Sequence, residues 1–175
     1  NEDIPAVNFS SETTPVNSSG DAADDPAIWI NEENPINSLI FGTDKRSGIH
    51  VYGLDGSELG FSALGATNNV DVRVLDKILY IATSNRTSST IDLWKIPESQ
   101  AYDYFSTTDD PFNSLPKHVS INAGMKVYGI CLGVYKNNLV ALVTEEEGVR
   151  NQFWNLTNQK LINTINIIAD ESNPP

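Results

Sequence analysis

Short apolar runs separated by polar turn residues fill the chain from Ala27 onward, and no stretch sustains a helical period of apolar positions. Such runs, bounded by Gly, Asn, Asp and Ser, predict β-strands, and they fall into three groups of four. The first group is Ala27 to Asn31, Ser38 to Thr43, Gly48 to Leu54 and Glu58 to Leu64, with Leu54-Asp55-Gly56 as a hairpin signal. The second is Val70 to Leu75, Lys77 to Ser84, Thr90 to Ile96 and a weaker run at Lys117 to Ile121. The third is Val127 to Tyr135, Leu139 to Thr144, Asn151 to Leu156 and Leu161 to Ile168. Between the third and fourth runs of the second group, the stretch from Pro97 to Pro116 reads as a long loop, with Asp109-Asp110-Pro111 as a solvated turn.

The groups repeat one another. Leu39-Ile40-Phe41-Gly42-Thr43, Leu79-Tyr80-Ile81-Ala82-Thr83 and Val140-Ala141-Leu142-Val143-Thr144 are apolar runs ending in Thr, each followed by a polar turn and a strand bearing an aromatic: Tyr52, Trp94 or Trp154. A continuous apolar run describes a strand buried on both faces. Four-stranded sheets recurring every 40 to 55 residues or so mark the blades of a β-propeller. The expected fold is therefore all-β, a partial propeller with blades at about residues 20–66, 67–124 and 125–169. An extended arm precedes them over residues 1–19, with an edge strand at Ala6 to Phe9, and a polar tail or linker follows over 170–175. Closed propellers need about 4 to 8 blades. Three leave outer sheet faces that a further domain or a second copy of the chain is expected to cover.

Length and charge narrow the function. The 175 residues suffice for one domain with a sizeable core, and 11 Lys and Arg against 23 Asp and Glu give a net charge of −12. That balance opposes nucleic acid and anionic membrane and favours cations or cation-bridged ligands. One cysteine, Cys131, read as a small core residue, and two histidines, His50 and His118, make a disulfide framework or a Cys/His zinc site improbable. The chain starts at Asn1 rather than Met, and its Ser/Thr/Asn-rich opening and acidic balance suit an exported bacterial protein, secreted or periplasmic.

In a propeller, equivalent turns of successive blades land on one rim. Asp44-Lys45-Arg46-Ser47-Gly48, Ser84-Asn85-Arg86-Thr87-Ser88 and Glu145-Glu146-Glu147-Gly148 are thus expected to be neighbours, with Asp24-Asp25, Asn68-Asn69, Asp71 and Lys126-Val127-Tyr128 nearer the axis. Lys45, Arg46 and Arg86 are suited to phosphate or sulfate oxygens. The carboxylates of Asp24, Asp25 and Glu145 to Glu147 suit a hard cation such as calcium, although Asp24-Asp25-Pro26 also reads as a solvated acidic loop. Nucleophile-elbow, Walker A, zinc-protease and EF-hand motifs are all absent from the sequence.

Five motifs together resemble those of the calcium-dependent β-propeller phytases, the alkaline 3-phytases. They are Asp21-Ala22-Ala23-Asp24-Asp25-Pro26-Ala27-Ile28-Trp29, Gly42-Thr43-Asp44-Lys45-Arg46-Ser47-Gly48, Asn68-Asn69-Val70-Asp71-Val72-Arg73, Ser84-Asn85-Arg86 and Val127-Tyr128-Gly129. The likeness runs from about Val7 to Leu156. It implies a six-bladed propeller, of which this chain supplies about three blades, and hydrolysis of phosphate monoesters of myo-inositol hexakisphosphate, with calcium activating water and bridging phosphates. By the same resemblance, Lys45, Arg46, Arg86 and Tyr128 take the places of phosphate-binding residues, and Asp24 and Asp25 those of calcium ligands. One position departs from the pattern: the family's third-blade turn has a phosphate-binding Lys where this chain has Glu146. The family's other calcium carboxylates lie in a second half with no counterpart in these residues. The resemblance therefore implies the incomplete N-terminal domain of a tandem phytase, not competent alone. The alternatives are an active phytase formed by homodimerisation and a non-catalytic interaction scaffold.

Overall fold

The computed structural model describes residues 10–167. The expected strand at Ala6 to Phe9, the end of the last strand at Ile168 and the tail lie outside the described residues. Among the described residues, twelve strands form three antiparallel four-stranded meanders. The first sheet is β1 (Ala23–Trp29), β2 (Leu39–Asp44), β3 (Gly48–Gly53) and β4 (Glu58–Ala63). The second is β5 (Thr67–Leu75), β6 (Ile78–Asn85), β7 (Thr90–Pro97) and β8 (Val119–Asn122). The third is β9 (Val127–Tyr135), β10 (Asn138–Glu145), β11 (Arg150–Asn155) and β12 (Lys160–Asn166). The first strands stack in series, β1 on β5 and β5 on β9, as the inner strands of propeller blades do. The all-β, partial-propeller expectation holds.

Two apolar layers hold the sheets together. Trp29, Leu39, Phe41, Ile49 and Val51 of the first sheet pack against Val70, Leu79, Ile81, Trp94 and Ile96 of the second. The opposite face of the second sheet, with Ala82, Ile91, Leu93 and Ile121, packs against Val127, Ile130, Leu132, Ala141 and Val143 of the third. The middle sheet is buried on both faces, which explains why its strands read as continuous apolar runs.

A hydroxyl at the end of each second strand fixes the register between sheets. Thr43 Oγ1 accepts from the Asp25 amide (2.9 Å) and donates to the Asn68 carbonyl of the next sheet (2.8 Å). Ser84 Oγ accepts from the Asn69 amide (3.1 Å) and donates to the Tyr128 carbonyl of the third sheet. Thr144 Oγ1 accepts the Gly129 amide at 2.8 Å. The structural repeat thus aligns Thr43 with Ser84, one residue beyond the Thr83 that the apolar runs suggest.

The stretch from Pro97 to Pro116 is not a loop. It carries α1 (Glu98–Thr107) and the short α2 (Pro111–Ser114). Ala101 and Phe105, four residues apart, are the buried residues of α1, too few to register as a periodic face in the sequence. Phe105 and Phe112 enter the aromatic cluster of the first layer, edge-on to Phe41 at 5.2 and 6.1 Å, and the Trp94 indole donates to the Phe112 carbonyl (3.0 Å). Buried Ser62 anchors this segment to β4, donating to Asp110 Oδ1 (2.6 Å) and accepting from the Phe112 amide (2.8 Å). Gly60 makes room for it, since a side chain there would meet the Thr108 carbonyl. Asp109 and Asp110 are exposed, as a solvated turn requires, and Asp110 also holds the segment down.

Two further readings of the sequence change. The first strand begins at Ala23, because Asp24 and Asp25 lie on a bulged extension of β1 rather than in a loop. Cys131 is exposed rather than part of the core: it pairs with Leu142 on the outer face of the third sheet, with Ile130 and Leu132 turned inward beside it. On the first sheet, the arm passes over the β3–β4 hairpin, where the Thr14 amide donates to the Gly56 carbonyl (2.9 Å). Gly56 has φ of +84°, and a side chain there would overlap the Glu12 carbonyl.

Candidate functional site

One backbone bond, repeated in each sheet, defines the rim. The first turn residue after each second strand donates its amide to the carbonyl just before the first strand or at its approach: Lys45 to Ala22 (2.9 Å), Arg86 to Ala66 (2.9 Å) and Glu146 to Lys126 (2.8 Å). Lys45, Arg86 and Glu146 are therefore structurally equivalent, and the expected convergence of the three turns is present.

Arg86 joins all three sheets. Its Nη2 donates to the Lys45 carbonyl (3.0 Å), its Nη1 to Glu146 Oε1 (3.1 Å), and its guanidinium carbon lies 6.0 Å from the centroid of the Tyr128 ring. Its Nε is buried without a partner among the described residues. Glu146 also pairs through Oε2 with Lys126 Nζ at 2.6 Å. Lys126 first, and Arg86 after it, hold the Glu146 carboxyl below its ordinary value against the opposing effect of burial. Tyr128 is exposed, and its backbone is fixed by Ser84.

Lys45 points to the opposite side of its turn, between Asp21 Oδ2 (2.9 Å) and Asp24 Oδ1 (3.2 Å). The hydrogen bond to Asp21 and then that to Asp24 raise the Lys45 pKa, and Lys45 in turn lowers that of Asp21. Arg46 is exposed, with its side chain beside Gly20 and no ion pair among the described residues. The structure thus gathers Arg86, Tyr128, Glu146 and the Lys45 backbone, and leaves the Lys45 and Arg46 side chains on the Asp21–Asp24 side. Lys126, two residues before Tyr128, carries no mark in the sequence of its pairing with Glu146 beyond that position.

The carboxylates do not assemble a calcium cage. Asp24 spends one oxygen on Lys45, and Asp25 Oδ2 accepts the Val70 amide (3.1 Å) in the seam between the first two sheets. Glu145 is paired with Arg150, and Glu146 with Arg86 and Lys126. Among the described residues no three His, Cys, Asp or Glu side chains are grouped to hold a metal, whereas calcium takes 6 to 8 oxygens or so. Asp24 and Asp25 alone do not fit the ion that the motifs imply.

The sequence matches the family model described as Phytase over residues 2–164, almost its whole length. The chain belongs to the phytase family. A 3-phytase of Bacillus subtilis (strain 168) is 36% identical in an alignment of 156 residues that covers 84% of this chain and 39% of that protein. This phytase-family chain therefore spans about two fifths of the length of the curated relative it matches. A crystal structure of a Bacteroides caccae protein of unknown function is similar with a TM-score of 0.47 at 11% identity, covering 82% of this chain and 46% of that one. Among the described residues no helix of this family member is long and apolar enough to cross a membrane.

Proposed function

We propose that this chain is a phytase-like domain that engages phosphate groups of myo-inositol hexakisphosphate at the rim, through Lys45, Arg46, Arg86 and Tyr128, and does not complete hydrolysis alone. The observation that carries this reading is the position of Arg86, a guanidinium braced against a backbone carbonyl and an aromatic ring where three blades meet. A fixed guanidinium suits the planar, paired oxygens of a phosphate. The incomplete set of carboxylates supports the second half of the proposal: calcium-dependent attack needs further oxygen ligands, and on this reading another propeller domain contributes them. Export to the bacterial periplasm or medium is part of the same proposal.

Calorimetric titration of the chain with hexakisphosphate, combined with a phosphate-release assay in calcium, tests the proposal. Binding that is lost in Arg86→Met, with no turnover, is expected. Unchanged binding in Arg86→Met refutes the rim assignment, and turnover by a monomer refutes the dependence on a second domain.

A second reading, an active homodimer, draws on the outer face of the third sheet, where Leu142 and Tyr135 are exposed. Sedimentation at micromolar concentration separates the two, because a stable monomer rules out the dimer.

A further inference from the structure

We propose that Glu146 is an internal anion: its carboxylate occupies the position between Arg86 and Lys126 that a phosphate group would take, and closes this part of the rim to phosphate until it is displaced. The inference rests on the rim assignment made above and concerns how that rim is regulated.

The two Glu146 oxygens contact two different cations, Oε1 at 3.1 Å from Arg86 Nη1 and Oε2 at 2.6 Å from Lys126 Nζ. A phosphate bridging the same cations would use two oxygens in the same way. The carboxylate is also sheltered: the Glu146 side chain is 15% exposed and that of Arg86 21%, while Lys126 stands 62% exposed at the mouth. Anions therefore reach the pair from the Lys126 side and meet a recess that is already filled. Arg86 Nε, buried and unpartnered, is a donor that the carboxylate leaves unused.

Equivalence within the repeat sharpens the point. The same turn position carries a cation in the first two sheets, Lys45 and Arg86, and an anion only in the third. A polyphosphate approaching Arg86 meets a like charge within contact distance, an arrangement that strongly disfavours binding. Two routes lead past it. Either the Glu146 side chain turns away, for which Lys126 must release it, or a cation is taken up with the phosphate.

The test is titration calorimetry on the full 175-residue chain at fixed ionic strength, with myo-inositol hexakisphosphate and with inorganic phosphate as separate probes. Glu146→Gln keeps the shape and removes the charge, and Glu146→Ala empties the recess. Either change is expected to tighten hexakisphosphate binding by about tenfold or more. Adding Arg86→Met to Glu146→Gln should cancel the gain. Folded variants that bind no tighter than the parent overturn the inference, and so does a gain that survives Arg86→Met.

The rim assignment fails separately, if Arg86→Met leaves the parent's own hexakisphosphate binding unchanged. Should both Glu146 variants unfold, the Arg86 guanidinium resonances of the parent decide. They are expected to stay fixed in millimolar inorganic phosphate, and a phosphate-dependent shift overturns the closure.

Discussion

Asp25 Oδ2 accepts the backbone amide of Val70 at 3.1 Å, so a carboxylate of the first blade ties down the inner strand of the second. Asp25→Ala leaves that amide without its partner in a closely packed seam and is expected to cost about 1–3 kcal/mol. Asp25→Asn, which keeps an acceptor, should recover most of the loss. Urea unfolding of the two variants checks this. Equal losses in both would mean that the charge, and not the acceptor, matters at Asp25.

Ser62→Ala removes the hydroxyl that bonds both Asp110 and the Phe112 amide. The buried amide is then orphaned, and a destabilisation of about 1–3 kcal/mol is expected. Because Phe112 packs edge-on to Trp94 at 5.0 Å, the near-ultraviolet circular dichroism of the tryptophans should weaken as well. An unaltered spectrum with full stability would contradict the anchoring role.

The Glu146 carboxyl has its pKa lowered from 4.5, chiefly by Lys126. A carboxyl depressed in the folded state stabilises the fold above its unfolded-state value, and the contribution disappears as pH falls through the folded-state value. The stability advantage of the parent over Glu146→Gln should therefore be constant at neutral pH and shrink below pH 4.5. Urea midpoints across the acid range provide the comparison, and a difference independent of pH would show that the pairing contributes no linkage.

Cys131 is exposed on the outer face of the third sheet. One thiol per chain should react with a disulfide reagent in native buffer, without a lag and without denaturant. Reaction only after unfolding would show that this face is covered in solution.

The sequence discloses the blades because strand burial leaves a direct trace: the middle sheet is covered on both sides, and its apolar runs are uninterrupted. The turn positions follow, since a repeat brings equivalent residues to one end. What remains hidden is whatever depends on tertiary partners. The helix at Glu98–Thr107 buries only Ala101 and Phe105, a signal too sparse for a periodicity argument, and it follows a proline that suggests a break. Cys131 sits in the apolar run Val127 to Tyr135, where exposed apolar residues such as Val134 and Tyr135 mask the alternation. Lys45, Arg46 and Arg86 read alike as free cations, yet Lys45 is committed to Asp21 and Asp24, and Arg86 to Glu146. Spacing along a chain does not report which opposite charge a neighbouring blade presents.

The hydroxyls of Thr43, Ser84 and Thr144 give the stack a polarity. Each accepts a hydrogen bond from an amide of its own blade, and the first two donate one forward to the next: Thr43 to the Asn68 carbonyl and Ser84 to that of Tyr128. A blade joined in this way has a giving face and a receiving face, and these are not interchangeable. Assembly through this bond is accordingly head to tail. Two copies of the chain meeting third blade to third blade about a two-fold axis would bring donor against donor, and that contact would have to be built from other groups.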